Sequence, residues 1–171
     1  MSKFLVLTII ADDKPGIVET LAATIADQGG NWLESRMSHM AGKFAGILRI
    51  SIPEEESNSL RIRLSELARQ GISVGVEVSA DAGESIATKD LTLNLIGNDR
   101  AGIVKEVSQA LANLGVNVLE LTTNCESAPM SADLLFKTEA HLRVPTGFDA
   151  DELTDALESI SNDLMVEITL D

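Results

Sequence analysis

Aromatic residues make up only 3% of this 171-residue chain. A core without rings must be built from Val, Ile, Leu and Ala. At 44% hydrophobic content the chain has enough of them for one large domain or two small ones. Cysteine occurs once, so no intramolecular disulfide can form and no zinc-site cysteine spacing exists. That usage suits a reducing compartment. Basic side chains are few, 13 against 27 acidic ones, for a net charge of -14. Such a field repels a phosphate backbone unless a local basic patch overcomes it. The densest basic stretch, Arg61, Arg63 and Arg69, is spread along one predicted helix and diluted by Glu66, and reads as a solvated face. No apolar run approaches the roughly 20 residues a membrane helix needs. The opening "MSKFLVLTIIADD" ends in Asp-Asp without a small-residue cleavage pattern, and reads as a strand rather than a signal peptide. The expectation is a cytoplasmic protein without direct nucleic-acid or membrane contact.

What the chain does have is a repeat. Shifted by 86 residues, Leu5 falls on Leu91. Identities follow at Leu7/Leu93, Ile10/Ile96, Asp13/Asp99, Gly16/Gly102, Ile17/Ile103, Val18/Val104, Ala26/Ala112, Gly29/Gly115, Asn31/Asn117, Leu33/Leu119 and Glu34/Glu120. The register runs from Leu5 to Glu34 without a gap, the signature of two copies of one supersecondary unit.

Each copy has the same internal order. "KFLVLTIIA" is an apolar run rich in β-branched residues, hence a strand. Pro15 is expected at a first-turn helix position, where no N–H is needed. Ile17, Leu21 and Ile25 give a helix that Gly29-Gly30 ends. "NWLESRMSHM" and "KFAGILRISIP" read as strands joined at Ala41-Gly42. Leu60, Leu64, Leu67 and Ala68 mark a second helix, and "ISVGVEVSA" a closing strand. The second copy runs through strand "DLTLNLIG", a helix on Ile103, Val107, Leu111 and Leu114, and strands "NVLELTTNC" and "LLFKTEAHLRVP". It finishes with a helix on Leu153, Leu157 and Ile160 and strand "LMVEITL". The fold class is therefore α+β: two ferredoxin-like βαββαβ units, each an antiparallel sheet with both helices on one face. The boundaries expected are 1–80 and 90–171, with a polar linker at 81–89. The strands carry apolar residues on both faces, so the helix-free face of each unit is expected to be covered, by the other copy or by another chain. About six extra residues lengthen the second copy's hairpin around "CESAPMSAD" (the loop at 125–133), and a loop that outgrows its twin is a place for function.

The repeat is most faithful at the strand-to-helix turn. Core positions drift, as Leu21/Val107 and Ile25/Leu111 show, because volume and apolarity suffice there. Asp, Gly, Ile and Val at the turn do not drift, nor does the Asn opening the next strand. Two readings account for this. In one, Asp13 and Asp99 are helix caps, Gly16 and Gly102 relieve crowding, and Asn31 and Asn117 satisfy backbone. In the other, helix N-terminal amides hold a carboxylate. Glycine admits it closely, Asn offers donors and an acceptor, and Asp pairs with an ammonium. Carboxylate and ammonium together describe a free amino acid.

At these residues the sequence resembles the ACT domain, a small-molecule regulatory module with a D/N-[KR]-P-G-[IV] turn and a G-x-N-[IV] strand start. "DDKPGIV" with "GGNW" and "NDRAGIV" with "GVNV" carry that likeness over essentially the whole chain. Ala101 in place of proline and Trp32 in place of a β-branched residue depart from it. The resemblance extends to the glycine cleavage system transcriptional repressor family through Ser35, Met37, Gly42, Phe44 and Ala45, then Ala128, Pro129, Met130, Ser131, Leu135 and Phe136. It implies an amino-acid sensor, glycine among the candidate ligands, that restrains a transcriptional activator by binding that protein rather than DNA. It implies ligand-binding residues Asp13, Gly16, Ile17 and Asn31, and Asp99, Gly102, Ile103 and Asn117. ACT ligands sit where two units meet, the turn from one and a strand from the other, so a homodimer or higher assembly is expected.

Two other classes compete with this reading. An enzyme finds little support: His39 and His141 stand far apart in sequence on predicted strands and read as surface or half-buried residues, and Cys125 reads as inert. No nucleophile elbow, metal-ligand cluster or phosphate loop is present. Neither catalytic residues nor a metal or other cofactor are expected. A partner-binding ACT tandem with empty sites is the alternative. There Met37, Met40 and Met130 could offer an adaptable surface, although methionine more commonly fills core gaps.

Overall fold

The computed structural model describes residues 1–80 and 87–171. The chain divides into two compact units, Met1–Gly83 and Glu84–Asp171. Residues 81–86 of the expected linker lie outside the described residues.

Unit 1 runs β1 (Ser2–Asp12), α1 (Ile17–Asp27), β2 (Asn31–Met40), β3 (Lys43–Pro53), α2 (Ser57–Glu66) and β4 (Ile72–Val78), with 3-10 turns at Glu54–Glu56 and Leu67–Gln70. Unit 2 repeats it as β5 (Thr88–Asn98), α3 (Ile103–Asn113), β6 (Asn117–Ser127), β7 (Leu134–Pro145), α4 (Ala150–Glu158) and β8 (Met165–Leu170). Its first strand starts two residues before the expected boundary at 90. Each unit holds one four-stranded sheet, ordered β2-β3-β1-β4 and β6-β7-β5-β8, and every pairing is antiparallel. The architecture is the ferredoxin-like one expected.

Alternation along the strands selects the buried face. Leu5, Leu7, Ile9 and Ala11 of β1 face Ile50, Leu48, Gly46 and Phe44 of β3. With Ile17, Leu21 and Ile25 of α1 and Leu60 and Leu64 of α2 they form the first core. Leu91, Leu93 and Leu95 meet Leu142, Ala140 and Thr138, and pack with Ile103, Val107 and Leu111 of α3 and Leu153 and Leu157 of α4. Leu5, Leu7, Leu91 and Leu93 are each 0% exposed. Both cores are almost purely aliphatic, as the shortage of rings demands.

The helix-free faces differ. That of unit 1 carries Phe4, Val6, Ile10, Ala45 and Ile47, with Arg49 stacked 4.9 Å from the Phe4 ring centroid. In unit 2 the corresponding face carries Asp90, Thr92, Asn94, Lys137, Glu139, His141 and Arg143 around Ile96. The expectation of an apolar second face in both copies is therefore corrected for unit 2. Apart from Ile96 and Leu135, the apolar residues read into the middle of β5 and β7 lie on the single buried face.

β2 and β6 are both edge strands, and both bulge at the same place, between Trp32 and Glu34 and between Val118 and Glu120. The hairpin β2–β3 closes on Ala41 and Gly42, with φ of 49 and 80, the two positive angles of a type I′ turn. In unit 2 the six residues 128–133 replace that turn, held by the Ala128 N–H donating to the Asp133 carbonyl at 3.0 Å.

Candidate functional site

Each unit turns from its first strand into its first helix through a glycine in the left-handed region, Gly16 at φ 93 and Gly102 at φ 85. The angle alone accounts for glycine at both places. A Cβ there would meet nothing within 4 Å, so the space over both turns is open. Pro15 lies in the turn before Gly16, the N-cap of α1, rather than in the first helical turn expected for it. Ile17 and Ile103 open the helices with their side chains in the cores, each 3% exposed. They anchor the turn and present only backbone to it.

Neither α1 nor α3 has a side-chain cap. The contrast is α4, where the Asp149 carboxylate accepts from the Asp151 N–H at 2.9 Å. Asp13 and Asp99 are therefore not the caps one reading made them. Their own N–H groups donate to the carbonyls of Gly42 and Leu134, both at 2.9 Å, which ties each turn to the neighbouring hairpin. A hollow of about 220 Å³ at the first turn is lined by Asp13, Lys14, Gly16, Ile17, Val18, Glu19 and Phe44.

The basic groups beside the turns are engaged. Lys43 forms an ion pair with Asp12, and its hydrogen bond holds the Asp12 carboxyl below the usual carboxylate range. Lys14 Nζ donates to the Gln70 carbonyl at 3.0 Å. Arg100 pairs with Glu106, and that hydrogen bond lowers the Glu106 carboxyl and raises the guanidinium. Any carboxylate held at a turn therefore relies on backbone amides.

Asn31 and Asn117 stand elsewhere. Asn31 pairs with Ser51, which is opposite Phe4, whereas the turn follows Asp12. Asn117 pairs with Arg143, opposite Asp90, whereas the second turn follows Asn98. Eight residues of strand, about 26 Å at roughly 3.3 Å each, separate asparagine from turn within either unit. Asp13, Gly16 and Ile17 come together, as do Asp99, Gly102 and Ile103. Asn31 and Asn117 do not join them inside their own unit.

Two residues that the sequence reading set aside stand against the turns. His39 Nδ1 lies 3.9 Å from Asp13 Oδ2. Cys125 is exposed, and its thiol is raised first by partial desolvation and then by its hydrogen bond to Asp99. The 86-residue shift places His39 on Cys125, but a comparison by identity passes over a His–Cys pair. Among the described residues no group of three His, Cys, Asp or Glu could hold a metal ion, and no helix is long and apolar enough to cross a membrane.

Residues 3–79 match the model of the ACT domain family. Over the full chain the fold is similar to two solved structures. One is an unknown protein from Galdieria sulphuraria, with a TM-score of 0.83 at 23% identity, covering 100% of this chain and 99% of that one. The other is a protein designated a glycine cleavage system transcriptional repressor, with a TM-score of 0.73 at 18% identity, covering 100% and 98%. No curated protein matches the chain at a significant level. The first unit matches the ACT domain family, and the chain is a tandem of two ACT-like βαββαβ units.

Proposed function

We propose that the chain is a regulatory protein that senses a free amino acid at its strand-to-helix turns. The carboxylate lies on the first amides of α1 or α3, and the ammonium faces Asp13 or Asp99. Asn31 or Asn117 brackets the ligand from a second copy of the chain, because about 26 Å separates it from the turn of its own unit. One observation carries the reading: α1 and α3 both start at a left-handed glycine without a side-chain cap, whereas α2, also without one, starts at Glu56 in the right-handed region and α4 is capped by Asp149. An uncapped N-terminus presents unpaired N–H groups and partial positive charge, although in α3 the Ile103 N–H already donates to the Arg100 carbonyl at 3.3 Å.

The regulatory output is contact with a protein, a transcriptional activator of glycine cleavage genes, in keeping with the fold shared with the designated repressor. A net charge of -14 suits that better than contact with DNA. The chain carries out no catalysis of its own. Affinity is bounded by ligand size. Glycine has about five non-hydrogen atoms, and a ceiling of roughly -1.5 kcal/mol per atom limits binding to micromolar at best.

A thermal-shift screen across the twenty standard amino acids tests the proposal. At a concentration 100 times Kd a true ligand stabilises by about 2.7 kcal/mol. Replacing Gly16 and Gly102 together by leucine should remove the response; each costs about 1–2 kcal/mol of left-handed strain and leaves the fold intact. A screen without any shift leaves the tandem as a partner-binding scaffold with empty sites.

A further inference from the structure

The helix-free face of unit 1 is apolar at its centre, and we propose that it is a dimer interface, occupied by the same face of a second copy of the chain. The proposal does not depend on the turns binding an amino acid. Strand alternation sets Phe4, Val6 and Ile10 of β1 beside Ala45 and Ile47 of β3, on the two central strands of the sheet. Ile10 is 52% exposed and Ile47 49%. Charged groups stand around them: Glu34 on edge strand β2, Glu77 on edge strand β4, and the Asp12–Lys43 ion pair at one end. An apolar centre inside a polar rim is the anatomy of a protein–protein interface. A hollow of about 100 Å³ is lined by Val6, Ile47 and Arg49. Small-molecule sites run to roughly 300–1,000 Å³, so this hollow suits a side chain of a protein rather than a metabolite.

Size, composition and charge select the occupant. Four strands spaced about 4.8 Å apart, rising roughly 3.3 Å per residue, give the face a projected area of about 600 Å². Two such faces remove about 1,200 Å² from solvent, the lower bound of a stable specific interface. Transient contacts are about as polar as ordinary surface, whereas permanent homodimer interfaces are more apolar. Along the middle of this face one charged side chain intervenes, Arg49, and its guanidinium stacks on the Phe4 ring at 4.9 Å. The equivalent face of unit 2 is no match for it. There the polar groups already hold one another: Arg143 donates to Asp90 at 2.8 and 2.9 Å, and Thr92 Oγ1 donates to Asp171 at 2.6 Å. Setting Ile10 and Ile47 against those groups would take them out of water with nothing in return. Charge points the same way. Residues 1–83 hold 8 basic and 11 acidic side chains, a net charge of -3, and residues 84–171 hold 5 and 16, a net charge of -11. Copies that meet through unit 1 bring the less charged units together. The pairing is isologous, each copy giving the same patch. Ile47 pairs with Thr8 near the middle of the face, and so comes close to its own counterpart.

An interface at the lower bound of size dissociates on the order of 1 μM, so the face is bare at nanomolar concentration and covered at tens of micromolar. Analytical ultracentrifugation of the full chain across that range is the test. The unmodified chain should pass from monomer to dimer. Ile47→Glu sets an unpaired carboxylate in the middle of the face and should raise the dimer Kd at least about 100-fold. Ile47→Leu, which conserves volume, should leave Kd within about threefold, and so should Glu139→Gln at the equivalent site of unit 2. Mixing Ile47→Glu chains with Ile47→Lys chains should restore the dimer, an outcome that requires this face to meet itself. A monomer throughout the range, a dimer that tolerates Ile47→Glu, or a mixture that stays monomeric while both variants keep the native circular dichroism overturns the inference. Any of these leaves the sensor reading standing, since that reading is tested at the turns.

Discussion

On the helix-free face of unit 1 stand Phe4, Val6, Ala45 and Ile47; at the equivalent sites of unit 2 stand Asp90, Thr92, Lys137 and Glu139. On the other face of the same strands Leu5, Leu7 and Leu48 answer to Leu91, Leu93 and Ala140. One face has repeated and the other has not. The helices of each unit demand an apolar floor, which any set of aliphatic side chains of suitable volume supplies. Nothing within a unit covers the opposite face, so its chemistry answers to the surroundings. Charge follows the same division: of the 13 basic and 27 acidic side chains, residues 1–83 hold 8 and 11, and residues 84–171 hold 5 and 16. The acidity that argues against DNA thus belongs mainly to unit 2.

The comparison can be broken first at the cores. Leu7→Ala and Leu93→Ala, equivalent and both fully buried, should each cost about 2–5 kcal/mol in denaturant unfolding. A difference of several kcal/mol between them would show that the repeated floors are not equivalent. The hairpins come next. Ala41 sits at φ 49, where unit 2 has a six-residue loop instead. Ala41→Gly should stabilise unit 1 by about 1 kcal/mol by removing left-handed strain. The faces give a smaller change in stability and a clear one in solvation. Ile47→Glu should alter stability by no more than about 0.5 kcal/mol and reduce binding of a hydrophobic dye; Glu139→Ile should increase it.

The smallest effect is in pH dependence. Arg143 forms a two-pronged pair with Asp90, at 2.8 and 2.9 Å. The hydrogen bond first, and then the charge, hold the Asp90 carboxyl below its ordinary value. A carboxyl lowered by folding contributes stability above its unfolded pKa of about 3.9 and loses it as pH falls through the folded value. Arg143→Ala should therefore destabilise unit 2 at neutral pH and flatten its loss of stability in acid, read by unfolding at several pH values.

The fold was legible because each element carries its own period and punctuation: Ile17, Leu21 and Ile25 for α1, alternation for β4, Gly71 as a stop. The face asymmetry was overlooked although "LTLNLI" alternates Leu91, Leu93 and Leu95 with Thr92 and Asn94, because the likeness of the two copies was read from the positions they share, and in β1 and β5 most of those lie on the buried face. The turns stood out because a left-handed φ restricts them to glycine, and the repeat preserves that restriction. Their separation from Asn31 and Asn117 was invisible, since neighbours across a helix in sequence lie at opposite ends of the sheet. His39 and Cys125 were passed over because neither belongs to a motif and identity matching does not register a His–Cys pair.

The central claim is that the turns hold the amino acid and that asparagine reaches it from a second copy of the chain. Backbone-amide NMR of the full chain, titrated with each of the twenty standard amino acids, tests this directly. The account predicts that the amides of residues 16–18 or 102–104 shift together with Asn31 or Asn117, at one ligand concentration, despite the roughly 26 Å between the two groups within a unit. Shifts confined elsewhere, or a bound amino acid that leaves residues 16–18 and 102–104 unmoved, would contradict it.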